Sequence, residues 1–269
     1  MLKDITLGQF FPGESFLHKM DPRMKLILTL AMIVVVFAAQ GFVALGLILL
    51  FVLMTMLASG IKLKFLVRGL KPIMFIVVLT FVLNVFFQPG GNVIFRLAFL
   101  KVTDEGLRMA FFLAARLILL VICSQILTLT TSPIALTDGL ETLMRPLTKF
   151  RFPAHEIAMM MSIALRFIPT LMDEANKIMN AQTARGADFE NGNLIQKAKA
   201  MIPLLVPLFV GSFRRAEELA MAMEARCYRG GTGRTRMRKL KYGYRDAVAL
   251  GVVLALLAVI IALNAFGVV

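Results

Sequence analysis

Cysteine is scarce in this chain, and the two residues present exclude two classes of protein at once. Cys123 lies in an apolar stretch and Cys227 in a basic one, so neither a disulfide framework nor a CxxC metal site is available. Histidine is equally sparse. His155-Glu156 opens an H-E-x-x-H pattern, but Met159 stands where the second imidazole belongs and His18 is the only other histidine. A zinc protease centre needs that second ligand, so no metal site is expected. A GxxxxGK[ST] loop is missing too, so the chain has no ATP site of that kind of its own. No convergent catalytic set replaces it, and a non-catalytic protein is expected. The first apolar run begins only at Leu26 and continues too far for a cleaved leader.

Acidic residues are also few, 16 against 30 Lys and Arg, for a net charge of +14. A nucleic-acid partner is one reading of such a balance, so the position of the charge decides. What the chain has in abundance is apolar sequence: 59% hydrophobic residues and a mean hydropathy of +0.81. Crossing a bilayer takes ~20 apolar residues in a helix. Leu26 to Ser59 is long enough for two passes, broken at Ala39-Gln40-Gly41. Leu70 to Phe87 supplies a third, Leu107 to Leu129 a fourth and Ala247 to Phe266 a fifth.

Lys19, Arg23 and Lys25 precede the first pass, and Lys62, Lys64, Arg68 and Lys71 fill the link between the second and third. Eighteen Lys and Arg lie between Ser132 and Arg245, whereas the opposite loops hold only Arg96 and Lys101, offset by Asp104 and Glu105. Positive charge stays on the cytoplasmic side. The expected topology is therefore an inside N-terminus, about five passes and an outside C-terminus, in a multi-pass protein of the inner or plasma membrane. The net charge follows mainly from that topology. The run Arg234 to Arg245, with Tyr242 and Tyr244, abuts a span and reads as contact with anionic membrane lipids, not with nucleic acid.

The fold class is thus all-α. Residues 1–131 form an N-terminal transmembrane region of four spans, 132–242 a helical cytoplasmic segment, and 243–269 the last span. Within the inserted segment, Ser132-Pro133 is a helix start, with Ser as N-cap and Pro at the first position. A short helix to about Met144 ends before Pro146. A longer helix from Pro153 carries Ile157, Met160, Ala164, Leu165, Ile168, Met172, Ala175 and Met179 at helical spacing. A further helical region, Leu194 to Arg226, is expected to be interrupted near Pro203 and Pro207.

Both long helices close alike, on Ala181-Gln-Thr-Ala184-Arg185-Gly186-Ala187 and on Ala222-Met-Glu-Ala225-Arg226-Cys227-Tyr228. The pattern A-x-x-A-R recurs 41 residues apart. One such Arg is commonly a complement to the helix dipole. Two, each beside small residues, suit close approach to a doubled or two-fold symmetric partner whose carboxylates a planar guanidinium can grip.

With these segments in view, the sequence resembles the transmembrane T component (EcfT) of energy-coupling factor transporters. Phe11-Pro12-Gly13-Glu14-Ser15-Phe16-Leu17-His18-Lys19-Met20-Asp21-Pro22-Arg23-Met24-Lys25-Leu26 resembles the family's opening motif. Thr131-Ser132-Pro133 with Leu136-Thr137-Asp138-Gly139-Leu140 resembles the segment after the fourth span. Leu165-Arg166-Phe167-Ile168-Pro169-Thr170-Leu171, followed by Ala181 to Ala187, resembles the core signature, and Glu224 to Gly231 the second signature. The likeness covers essentially the whole chain, and is greater to the shared Firmicutes-type subunits than to dedicated cobalt, nickel or biotin versions. It implies a coupling subunit joined to two ABC ATPases, which bind ATP and Mg, and to a membrane-embedded S component that captures a vitamin or other micronutrient. It also implies that Ala184-Arg185-Gly186 and Ala225-Arg226-Cys227 dock on the ATPases. Cys227 stands where many members have Gly, which speaks against a tight turn at that point.

Two further features need a role. Arg116 lies near the middle of the fourth span, where charge is costly. Its expected partner is a backbone carbonyl, Asn84, Gln125 or another subunit. The inserted helices are rich in methionine, including Met159, Met160, Met161, Met172, Met179, Met201, Met221 and Met223. Core filling is the ordinary use; an adaptable surface for varied partners is the alternative. On that alternative Met160, Ala164, Met172 and Met221 are candidates for contact with the S component. Competing functions are a stand-alone secondary transporter or channel, which would favour broken spans and polar midplane sites, and a membrane-embedded enzyme.

Overall fold

The computed structural model describes residues 10–88, 90, 92–97, 100–187, 189, 193–230 and 240–266. The basic run at 231–239, with the end of the second signature, lies outside the described residues. Eight helices are described: α1 Pro22–Ala38, α2 Phe42–Ser59, α3 Leu63–Phe87, α4 Asp104–Thr130, α5 Pro133–Met144, α6 Ala154–Ala184, α7 Leu194–Ala225 and α8 Tyr244–Ala265. An antiparallel ribbon, β1 Val93–Leu97 and β2 Leu100–Thr103, joins α3 to α4. Four helices, α2, α3, α4 and α8, are long and apolar enough to cross a membrane. Helix α1 has 17 residues, roughly 25 Å, at the lower limit for a pass.

Local sequence explains most boundaries. Asp21 caps α1 by accepting the Arg23 backbone N–H at 2.9 Å, with Pro22 at the first position. Thr103 caps α4 through Gly106 N–H at 3.1 Å, and Asp104 and Glu105 then face the positive end of its dipole. Three expectations are corrected. Helix α3 begins at Leu63, not Leu70, so Lys64, Arg68 and Lys71 are helical residues, not link. The expected loop between α3 and α4 instead contains the ribbon of β1 and β2, since runs such as Val93-Ile94-Phe95 favour strand. Helix α7 runs unbroken through Pro203 and Pro207. Each proline removes one helical hydrogen bond. The residues whose carbonyls lose a donor, Lys199 and Pro203, are both exposed, where solvent or headgroups can supply one.

The chain separates into two compact units. Among the described residues one comprises 10–140 with 240–266, the other 141–230, and the division falls inside α5. In the first unit α3 and α4 form the most extensive helix pair, while α1 packs on α4 and α8, and α2 on α4. Val35, Val36, Ala39, Ile48 and Ile260 are fully buried at the centre.

At the end of this bundle where α1 and α8 begin, charged side chains are buried. Arg23 grips Asp21 through Nε and Nη2, at 3.1 and 3.0 Å, and lies over the Tyr242 ring at 4.3 Å. Asp246 accepts the backbone N–H of Asp21 at 3.0 Å and that of Gly243 at 2.8 Å. Lys25 Nζ donates to Thr130 O at 3.0 Å, Thr131 Oγ1 at 3.3 Å and His18 O at 3.4 Å. Burial lowers the Lys25 ammonium to about 8 against the pull of Asp246 and Asp21. The opening motif seen in the sequence is therefore a clamp that ties the starts of α1 and α8 to the end of α4.

Candidate coupling site

The second unit is built on α6 and α7, which pack on each other. Helix α6 closes on a Schellman turn: Ala187 N–H donates to Gln182 O at 3.0 Å and Gly186 N–H to Thr183 O at 2.9 Å. Helix α7 closes identically, with Tyr228 N–H to Met223 O at 3.0 Å and Cys227 N–H to Glu224 O at 2.8 Å. Arg185 and Arg226 occupy the same C-cap position, with φ and ψ of −89° and 8° in the first and −89° and 11° in the second. The residue after each is left-handed, Gly186 at φ 89° and Cys227 at φ 56°. The expectation that cysteine would disfavour the turn is thus corrected. The two inward hydrogen bonds hold the backbone in place despite a steric cost of roughly 1–2 kcal/mol for a side chain there. Both arginines and their neighbours Ala184, Gly186, Ala225 and Cys227 are exposed, and each guanidinium stands at the negative end of a helix dipole.

Where the helices touch, Arg215 pairs with Glu174. Gly211, one turn before Arg215, makes room for the carboxylate: a Cβ there would lie 3.2 Å from Glu174 Oε1. Arg215 follows Glu174 by 41 residues, the same offset that separates Arg226 from Arg185. Each motif arginine therefore lies three turns beyond one member of the same ion pair. The repetition visible at the helix ends extends back to their contact.

The methionine-rich surface is only partly that of the sequence reading. Met160, Ala164 and Met221 are exposed, Met172 is half-buried, and Ala175 is buried. A longer apolar stripe lies on α7, outside the methionine-rich candidates: Ile202, Leu205, Val206, Phe209, Val210 and Phe213 are all exposed, Phe209 at 62% and Phe213 at 72%. Their i, i+3, i+4, i+7, i+8 spacing is the signal that would have found them. Pro203 and Pro207 lie within this stripe without breaking it.

Arg116 of α4 donates through Nη2 to Ala39 O, and its guanidinium lies 4.6 Å over the Phe112 ring. Asn84 donates instead to Thr80 O, one turn back on its own helix. Ala39 ends α1 in mid-bundle, level with the centre of α4. Asn264 of α8 donates to the neighbouring Ala38 O at 2.7 Å. Two polar side chains from other helices thus satisfy carbonyls left open where α1 stops short. Among the described residues no three His, Cys, Asp or Glu side chains come together as a metal would require; His155 instead contacts Glu141, Nδ1 to Oε1, at 3.1 Å.

Four apolar helices long enough to span, with a second, amphipathic unit whose two long helices end in matched, exposed arginines, define a multi-pass membrane protein. The family described as CbiQ, cobalt transport protein, matches residues 13–237. Three curated relatives carry the name energy-coupling factor transporter transmembrane protein EcfT. The one from Clostridium kluyveri is 58% identical over 250 residues, 93% of each chain. Those from Ruminiclostridium cellulolyticum and Bacillus subtilis are 52% and 45% identical, over 94% of each chain and over 98% and 100% respectively. The chain belongs to the CbiQ family, within its EcfT branch.

Proposed function

We propose that this chain is the transmembrane coupling subunit of an energy-coupling factor transporter. It passes the ATP-driven motion of two ABC ATPases to a membrane-embedded S component, for uptake of a vitamin or other micronutrient. ATP and Mg bind on the ATPases, and this chain is non-catalytic. The observation that carries the reading is the pair of matched C-caps. Arg185 and Arg226 are exposed at equivalent points of two Schellman turns, as two similar docking grooves require. The apolar surface of α6 and α7 supports contact with the S component. The asymmetry of Lys and Arg supports a cytoplasmic N-terminus and a cytoplasmic segment 132–242.

Truncating one partner of a buried charged pair costs ~2–5 kcal/mol, because the other charge is left unpaired. Arg185→Ala or Arg226→Ala alone weakens assembly, and the double variant abolishes ATP-driven uptake. Lys at either position restores only part, lacking the planar fork. Arg229→Ala, outside the repeat, is milder. Vesicle uptake with pull-down of both ATPases measures this, and wild-type transport by the double variant would overturn the proposal.

A further inference from the structure

An apolar groove of 370 Å³ opens into the transmembrane unit at the end where α1 and α8 begin. Its floor is formed by Leu28 and Met32 of α1 with Cys123, Ile126 and Leu127 of α4. Its walls are Phe51, Met54 and Ala58 of α2 and Val248 and Val252 of α8. The walls reach the surface: Met54 is 63% and Val248 54% exposed. From Lys25 to Met32 it runs about 10 Å along α1. A volume of 370 Å³ cannot hold a partner helix, whose diameter with side chains is about 10–12 Å, and suits a single hydrocarbon chain.

The mouth is basic. Arg245 lies one turn before Val248 on α8, and its guanidinium sits 6.0 Å from the centre of the Phe16 ring, itself part of the lining. Arg245 forms no ion pair among the described residues; its other contacts are with Tyr244. Lys241 is exposed just ahead of it. Lys19 also stands on this segment, paired with Glu14 at 3.2 Å. Aromatic and basic side chains at one level mark the headgroup region. A basic mouth above an apolar slot complements a molecule with an anionic head and a hydrocarbon tail.

We propose that this groove binds an anionic phospholipid, with one acyl chain between α2 and α8 and the phosphate at Arg245 and Lys241. The lipid fills the gap that α2 and α8 leave over α1, and so completes the wall beside the Lys25–Thr130 clamp.

The chain contains no tryptophan, so a single introduced one reports alone. Phe51→Trp places it on the groove wall, Phe16→Trp at the mouth, and Phe75→Trp on an exposed face of α3 distant in sequence from the lining. Each full-length variant is reconstituted in phosphatidylcholine vesicles holding a minority of phosphatidylglycerol, with brominated, quenching chains on one lipid or the other. Each basic group near the surface favours an anionic lipid by about fivefold. Quenching at Phe51→Trp and Phe16→Trp, per mole of quencher, is therefore at least several-fold greater from phosphatidylglycerol than from phosphatidylcholine. Adding Arg245→Glu removes the difference, and Phe75→Trp shows none. Equal quenching by the two lipids at the groove positions overturns the proposal. Absence of quenching by either also overturns it, because a protein surface then covers the groove. If Phe51→Trp does not fold, the Phe16→Trp result decides.

Discussion

The contact between Arg116 and Ala39 O shows what a single charged residue does when a helix ends inside a bundle. Helix α1 leaves carbonyls without donors at Ala38 and Ala39, in surroundings that exclude water, and Ala39 is fully buried. An unsatisfied buried acceptor costs roughly 1–3 kcal/mol. Arg116→Met is therefore expected to lower the thermal stability of the purified protein by about that amount, while Arg116→Lys, which keeps a donor, loses less. Unfolding followed in detergent measures both. The identity of Arg116 as an anomaly was legible in the sequence. A backbone carbonyl was among its expected partners, but which one was not legible, because a carbonyl 77 residues away leaves no trace in residue type. The tight turn at Cys227 was misjudged for a related reason: hydrogen bonds from Cys227 and Tyr228 back to α7 override a local steric preference.

At the scale of whole helices, long apolar runs located α2, α4 and α8 closely, and capping residues and helical spacing located α5 and α6. Prolines misled at α7, since they forbid two hydrogen bonds but do not forbid a helix whose affected carbonyls face outward. The apolar stripe from Ile202 to Phe213 is the consequence of that continuity, for a broken helix would not align it. With Met160, Ala164 and Met221 it forms the exposed apolar surface that we propose meets the S component, whereas the two arginine turns lie at the helix termini. Ala164→Glu, and likewise Phe209→Glu, should release the S component while both ATPases remain in the complex. Co-purification in mild detergent gives the answer, and loss of the ATPases instead would mean that the faces are assigned wrongly.

Most of the charge along the chain lies outside the apolar runs, with Arg116 and the buried Asp21, Arg23, Lys25 and Asp246 as exceptions. Membrane crossing could be read from hydropathy and Lys/Arg position alone, because those are properties of composition along the chain. The groove and the clamp could not, since they depend on which helices become neighbours. The topology makes a direct prediction. In a background lacking the native thiols, Asn92→Cys should react with a membrane-impermeant maleimide on intact cells. Asn193→Cys should react only after permeabilisation. The reverse pattern would invert the molecule in the membrane.

The left-handed residue that closes α7 has a practical consequence beyond geometry. Of the two cysteines, Cys123 is buried and Cys227 exposed, so the unmodified protein carries one readily alkylated thiol, placed beside Arg226. If that turn docks as proposed, the alkylation rate of this thiol gauges the occupancy, with neither mutation nor tag. Saturating with the two ATPases should slow the reaction in proportion to the fraction bound, and releasing them should restore it. A rate indifferent to the ATPases would place their contact away from α7.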